Sequence, residues 1–303
     1  MENFKKLNFG ILGGGYSNER NISLKSTKAV NQALLESGYR SNILDVANKK
    51  ILFSKDTYKN FDFIFILIHG LGGEDGELQN FFEEMNLSYS GSSSEACRKS
   101  FDKRLAKNFL SKNINTPKQL QWNSHEEKID SNDHLLKRVV VKPAKEGSSL
   151  GVSIIENKSD LIKSAINEAS KYGDFIIEEF IHGDEITVAQ VGNEIYPPVK
   201  ITPDNQFYDF QAKYNSENTK YTKAEYSSAK QKELDELIIQ INNDFGCKAW
   251  SRTDLIDDGE NFYFLELNTV PGMTNTSLVP KAAKFAGLDF DRLVMQIIKS
   301  SLD

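Results

Sequence analysis

The sequence predicts a chain of mixed α/β and α+β class, with a parallel-sheet layer at the N-terminus followed by two α+β units. Three observations carry this expectation. Continuous apolar strands alternate with helices over residues 1–91, the pattern of a parallel sheet covered on both faces. The segment 92–183 then gives a long helical stretch and a β-branched hairpin. The segment 184–303 gives paired strands, a helix, a second hairpin and two closing helices. Three units in 303 residues agree with the usual domain length of roughly 100 to 200 residues.

In order, Leu7 to Leu12 reads as a short buried strand, Gly13 to Gly15 as a turn, and Ser23 to Ser37 as a helix stopped by Gly38. Arg40 to Val46 and the very apolar Phe61 to Ile68 are strands, and a Gly-rich loop leads to a helix around Glu77 to Asn86. From Ser92 the stretch SSEACRKSFDKRLAKNFLSKN reads as one long helix. Arg138 to Lys142 and Gly151 to Glu156 flank PAKEGSSL as a hairpin, followed by a helix over Ser159 to Tyr172 and a strand over Asp174 to Ile181. Past Asp184 come the paired strands of EITVAQVGNEIYPPVKI and a helix near Lys230 to Phe245. The hairpin TDLIDDGENFYFLELN, turned by Asp258 and Gly259, precedes two amphipathic helices beyond Pro271 and Gly272.

Composition excludes several classes. The chain carries 37 Lys plus Arg against 43 Asp plus Glu, a formal net charge of -6, which argues against nucleic-acid binding because that job normally needs a basic face. The longest apolar run, Phe63 to Ile68, is far short of the ~18 residues of a membrane helix, and MENFKKLNFG lacks a signal-peptide core. These features point to the cytoplasm and to no membrane partner. Cys97 and Cys247 make neither a disulfide framework nor a metal knuckle, and read as small hydrophobes near cores.

Four segments hold residues capable of chemistry. Gly13 to Gly15 stand between strand and helix, where glycine permits close approach of a ligand, but Asn18 occupies the last glycine position of a dinucleotide fingerprint. Glu19, just beyond, reads either as a ligand for an amine or as a solvated helix start. HGLGGEDGE, with His69, Glu74 and Asp75, follows the most apolar strand, at the carboxyl end where open α/β sheets bind ligands. In VVVKPAKEGSSLGVS, Lys142, Lys145 and the groups of Gly147, Ser148 and Ser149 are either a polyphosphate nest or a plain hairpin tip, and no Walker A pattern is present. In the late hairpin, Arg252 and Asp254 are two apart on one strand and Glu266 and Asn268 two apart on the other, so each pair projects from one face. A register that joins those faces makes an oxygen-rich site suited to Mg²⁺, and the apolar neighbours Leu255 and Phe264 favour this over a solvated polar face.

Taken together, GGGYSNERNISLKS, HGLGGEDGELQ, FDKRLAK, VVVKPAKEGSSLGVS, EEFIHGDEITVA, FYDFQAKY, GCKAWSRTDLI and LELNTVPGMTNTSLVPKAA, in this order, resemble the D-alanine:D-alanine ligases of the ATP-grasp superfamily. The resemblance spans nearly the whole chain. It implies a three-domain ATP-grasp fold, with ATP held between the second and third domains. The implied reaction joins two D-alanines through a D-alanyl phosphate for peptidoglycan precursors. ATP is the co-substrate, two Mg²⁺ or Mn²⁺ ions assist, and a homodimer is suggested. A ligase for another acceptor, D-lactate or D-serine, is the alternative.

Carried over by position, the resemblance makes Lys103, Lys142 and Lys213 phosphate ligands. Glu178 and the backbone of Phe180 and Ile181 meet the adenine and Glu185 the ribose. Asp254, Glu266 and Asn268 bind the metals. Glu19 and His69 hold the first D-alanine, with Ser148 and Tyr214 joined to Glu19 by hydrogen bonds. Arg252 and the Gly272 N–H face the oxyanion, and Ser277 with the Leu278 backbone grips the second carboxylate. Tyr208 to Lys223 is the expected lid. The chain departs from the family pattern in lacking a proline after Tyr221, in Thr276 where histidine is frequent, and in Ser251 before the arginine. The presence of Tyr214 favours the peptide product over the depsipeptide.

Overall fold

A computed structural model of the chain describes residues 2–129, 136–147, 149–202 and 219–303. Ser148, Lys213, Tyr214 and residues 208–218 of the expected lid lie outside the described residues.

The first sheet contains β1 (Asn8–Gly14), β2 (Arg40–Val46), β3 (Phe63–Ile66) and β4 (Ser88–Tyr89), in the order β2-β1-β3-β4 with every pairing parallel. Both faces of β3 are buried, as its unbroken apolar run requires. Phe63 and Phe65 join one core while Ile64 and Ile66 join another with Leu12, Leu52, Leu78 and Phe82. The expected turn at Gly13 is instead strand: Gly13 and Gly14 pair with Asp45 and Val46 of β2. A Cβ on Gly13 would stand 1.8 Å from Thr27 Oγ1, so this glycine serves close packing of helix on strand. The helix Arg20–Glu36 begins earlier than Ser23 and ends at the cap Ser37, with Gly38 at φ +79° just beyond.

The long helix expected from Ser92 is broken. The segments Ser94–Phe101 and Lys103–Ala106 are separated by Asp102, whose backbone is extended and whose carboxylate accepts from Arg104 N at 3.0 Å. An aspartate that caps a new helix outcompetes its own weak propensity for the helix interior. The break turns Lys103 and Lys107 toward the middle of the molecule.

The second sheet is antiparallel and runs β5-β10-β8-β9, where β5 is Gln119–Leu120, β8 is Arg138–Pro143, β9 is Ser153–Glu156 and β10 is Phe175–Glu179. A small ribbon, β6 (Trp122–Asn123) with β7 (Lys128–Ile129), stands beside it. The helix Ser159–Ala169 covers one face, packing Ile162, Ala165 and Ala169 on Val139, Val141 and Ile177.

The third sheet is also antiparallel. Its strands are β11 (Asp184–Val191), β12 (Glu194–Ile195), β13 (Val199–Thr202), β14 (Lys220–Lys223), β15 (Trp250–Asp257) and β16 (Phe262–Asn268), in the order β14-β13-β11-β15-β16 with β12 beside β11. The end of the expected lid is therefore strand, because Lys220–Lys223 pairs with Val199–Thr202. The helix Ser228–Phe245 buries Leu234, Ile238, Ile241 and Phe245 against Leu255 and Phe264. The helices Leu278–Phe285 and Phe290–Leu302 return to the first sheet: Val279, Leu293, Val294 and Ile297 share one core with Phe9, Ile11, Val30 and Phe65, and with Trp250 of the third sheet. One apolar cluster thus fixes the first sheet against the third.

Candidate active site

The parallel sheet presents its ligand-binding end between β1 and β3. Its order, β2-β1-β3-β4, sends the connections after these adjacent strands to opposite sides, the switch point where open α/β sheets leave a crevice. Glu19 caps the helix after β1, and His69 follows β3. Ser23 Oγ ties the two loops by accepting from Gly14 N at 2.8 Å and donating to Leu67 O at 2.6 Å. Ser17 Oγ adds a bond to His69 O at 2.7 Å.

His69 is 4% exposed. Its Nδ1 lies 2.9 Å from Val270 O and 3.8 Å from Glu74 Oε1, a geometry that places a proton on Nδ1 because a carbonyl only accepts. Nε2 is buried with no hydrogen-bond partner among the described residues, so it is the ring atom left for a ligand. Burial alone would lower the imidazole pKa, but the carboxylates of Glu74 and Glu19 outweigh it and raise the pKa above its ordinary value. Glu19 itself lies between two loops: a Cβ on Gly70 and one on Gly147 would each stand 3.4 Å from Glu19 Oε2.

On the late hairpin, Arg252 stands opposite Asn268 and Asp254 opposite Glu266, so the two faces meet as the alternation of the strands anticipates. Arg252 grips Asp254 with two bonds, Nε to Oδ1 at 2.8 Å and Nη2 to Oδ2 at 2.7 Å. Asp254 also accepts from Thr187 Oγ1 at 2.6 Å and from Asn268 Nδ2 at 3.3 Å. Four donors fill the carboxylate's capacity, so an ion entering here exchanges with one of them. Glu266 meets Lys103 Nζ at 3.0 Å, and that ammonium also donates to Glu146 O at 2.8 Å. Burial opposes the charge on Lys103, but Glu266 outweighs it and holds the ammonium pKa above its ordinary value.

Between the second and third sheets lies a cavity of about 180 Å³. Pro117, Val140, Val152, Ile154, Phe180, Ile256 and Leu265 give it apolar walls, and Lys103, Lys142, Glu178, Glu185, Asp254 and Glu266 give it charged groups. An apolar slot that opens onto lysines and carboxylates suits a flat heterocycle bearing an anionic tail. Ile181 lines it as well, and the Phe180 ring is fixed by the Arg138 guanidinium 4.4 Å from its centre. An adjoining cleft, lined by Glu74, Lys103, Glu146, Gly147, Glu266 and Asn268, continues toward the His69 loop. Lys145 does not follow Lys142 into the cavity wall. It lines the adjoining cleft instead, half-exposed and paired with Asp102 at 3.7 Å.

Among the described residues no group of three or more His, Cys, Asp or Glu side chains is arranged to hold a metal by itself. The hairpin instead supplies two carboxylates and an amide, hard oxygen donors that suit Mg²⁺ when phosphate oxygens complete the shell. Gly272, Ser277 and Leu278 do not line the cavity. They form a separate turn at the start of the helix Leu278–Phe285, where Ser277 Oγ accepts from Thr274 N at 3.0 Å and a Cβ on Gly272 would lie 2.9 Å from that oxygen. Two residues of the site were not singled out from the sequence. Thr187 reaches Asp254 only through the β11–β15 register, and Lys107, four residues after Lys103, pairs with Glu178.

Residues 113–299 match the family model described as D-ala D-ala ligase C-terminus. The D-alanine–D-alanine ligase of Nitrosomonas europaea is 40% identical, over 97% of this chain and 96% of that protein. The chain belongs to the D-alanine–D-alanine ligase family. The structure of a family member from Bacillus anthracis superposes with a TM-score of 0.85 at 29% identity, covering 98% of this chain and 97% of that one. Another, of the Bacillus anthracis ligase complexed with ATP, superposes with a TM-score of 0.81 at 26% identity over 98% and 97% of the two chains. The mixed α/β and α+β architecture is thus that of the ligase family, with a parallel first sheet and, beside the small β6–β7 ribbon, two antiparallel ones. No helix among the described residues is long and apolar enough to cross a membrane.

Proposed function

We propose that the protein joins two molecules of D-alanine to D-alanyl-D-alanine at the expense of ATP. The observation that supports this most strongly is that Asp254 and Glu266 share a cavity with Lys103 and Lys142, while Arg252 and Asn268 bond to Asp254 within the same hairpin. It occurs in a chain 40% identical to a D-alanine–D-alanine ligase over nearly its whole length. The cavity between the second and third sheets takes ATP. Its base lies in the apolar slot at Glu178, Phe180 and Ile181, its ribose at Glu185, and its phosphates at Lys103 and Lys142. The same reading carries two divalent ions, a cytosolic location, a homodimer, and a division into units 1–91, 92–183 and 184–303.

A carboxylate is a poor electrophile, so the reaction first needs an activated acyl group. A carboxylate oxygen of the first D-alanine attacks the γ-phosphorus, and the bond to the ADP oxygen breaks. Lysines offset the charge spread over the moving phosphoryl group. Glu19 holds the ammonium of the first D-alanine, and Nε2 of His69 donates to its carboxylate when the ring is protonated. Asp254, Glu266 and Asn268 would hold Mg²⁺, which supplies further neutralisation of phosphate charge. The neutral amine of the second D-alanine then attacks the acyl carbon, and its carboxylate rests at Ser277 and Leu278. Arg252 and the Gly272 N–H stabilise the tetrahedral oxyanion, and collapse breaks the bond from carbon to the phosphate oxygen and expels phosphate, which takes up the proton lost by the amine nitrogen.

Incubation with ATP, Mg²⁺ and D-alanine alone yields ADP, phosphate and a dipeptide identified by mass. Addition of D-lactate or D-serine tests the acceptor. A mixed product that outweighs the dipeptide would move the reading to the alternative ligase, and no dipeptide at neutral or alkaline pH would end it.

A further inference from the structure

We infer that Lys107 is a positioning residue of the nucleotide site, whose ammonium fixes the Glu178 carboxylate at the base-binding end of the cavity. The inference rests on the ATP reading above and adds to it a residue that does not touch the cavity. Glu178 is 2% exposed and carries a lysine on each oxygen: Lys107 Nζ lies 2.6 Å from Oε1 and Lys142 Nζ 2.7 Å from Oε2. Of these three side chains, Glu178 and Lys142 line the cavity, whereas Lys107 acts from behind it. The same ammonium donates to Pro117 O at 2.6 Å, and Pro117 is itself a cavity wall. One side chain therefore ties two lining groups together.

The helical break at Asp102 explains how Lys107 reaches this place. Lys103 and Lys107 are four apart in the short helical run Lys103–Ala106 and Lys107–Phe109, so both project from one side. Lys103 goes to Glu266 of the third sheet and Lys107 to Glu178 of the second. Burial alone would hold a carboxyl at this depth neutral, but the Lys142 and Lys107 ammoniums outweigh it and lower the Glu178 pKa below the ordinary glutamate range. An ionised carboxylate only accepts hydrogen bonds. It matches the exocyclic amine of adenine and opposes the carbonyl oxygen that a 6-oxopurine places there. A site built around a fixed acceptor rejects an analogue that lacks the donor far more strongly than an apolar pocket could.

Lys107→Met removes one of the two cations and the tie to Pro117. The expected result is a rise of about tenfold or more in KM for ATP with kcat within about threefold of the parent, the range for loss of a close contact to a charged group. KM for GTP stays nearly constant, so the ATP-over-GTP preference in kcat/KM falls by about tenfold. Lys107→Gln, which keeps a donor for Pro117 O, gives the same loss of preference and serves if the methionine variant fails to fold. In a Glu178→Gln background the Lys107 change removes no further preference, because the two residues act as one unit. A merely structural lysine would lower the unfolding temperature and leave the ratio of the two nucleotides unchanged, and that outcome overturns the inference. If the parent binds ATP while both variants keep its preference, the inference alone fails. A parent that binds neither nucleotide overturns the ATP reading, and this inference with it.

Discussion

Replacing Arg252 by methionine lowers kcat by about a hundred- to a thousandfold, the usual effect of removing one donor to a developing oxyanion, with little change in KM for ATP. Arg252 is 7% exposed and its partner Asp254 6% exposed, so the pair operates away from bulk water, where a fixed donor is most effective. The same substitution strands a buried carboxylate. Asp254 keeps the bonds from Thr187 and Asn268 but loses both from Arg252. A loss of about 3–5 kcal/mol in folding stability is expected from an uncompensated buried charge. Arg252→Lys recovers part of the stability and little of the turnover, since an ammonium cannot match the two-pronged grip of a guanidinium. Stopped-assay phosphate release and denaturant unfolding separate the two effects. A methionine variant with kcat within threefold of the parent would remove Arg252 from the chemistry.

Glu266→Gln is expected to reduce turnover by about a hundredfold or more at fixed Mg²⁺ and to raise the Mg²⁺ concentration for half-maximal rate at least about tenfold. The neutral amide is a weaker ligand for a divalent ion, and it also releases Lys103, whose Nζ now lies 3.0 Å from Glu266 Oε2. Binding of Mn²⁺ in the presence of a non-hydrolysable ATP analogue, followed by its electron spin resonance signal, gives a readout apart from turnover. Unchanged Mn²⁺ affinity in the variant would contradict the assignment of Glu266 as a ligand. If affinity falls but turnover is preserved, the ion is not required where the hairpin would hold it.

Local patterns carried much of the fold into the sequence. Arg40 to Val46 is a strand to the residue, and the two-residue spacing of Arg252 with Asp254 and of Glu266 with Asn268 already implied shared faces, which the β15–β16 register then joins. What escaped depends on competition or distance. Asp102 looked like one polar residue inside a helix, yet its capping bond to Arg104 N breaks that helix and aims two lysines at different sheets. Gly13 looked like a turn residue because its partner Thr27 is a packing contact across the helix. The sharing of one core by Phe9, Trp250 and Ile297 joins residues too far apart in the chain for periodicity to connect. Within the site, Thr187 and Lys107 are ordinary polar residues in sequence, and only the three-dimensional pairing with Asp254 and Glu178 distinguishes them. Lys145, read from the sequence as a companion of Lys142, instead lines the adjoining cleft with Lys103 and Gly147 and pairs with Asp102.

The central claim is that a D-alanine carboxylate becomes an acyl phosphate within the cleft that runs from Glu178 to His69. D-alanine labelled with ¹⁸O in both carboxylate oxygens tests it in one turnover experiment with ATP. If the carboxylate is phosphorylated, its bridging oxygen leaves with the phosphoryl group. Each released phosphate then carries one ¹⁸O, and the new peptide carbonyl keeps the other. Unlabelled phosphate accompanying dipeptide formation would contradict the account.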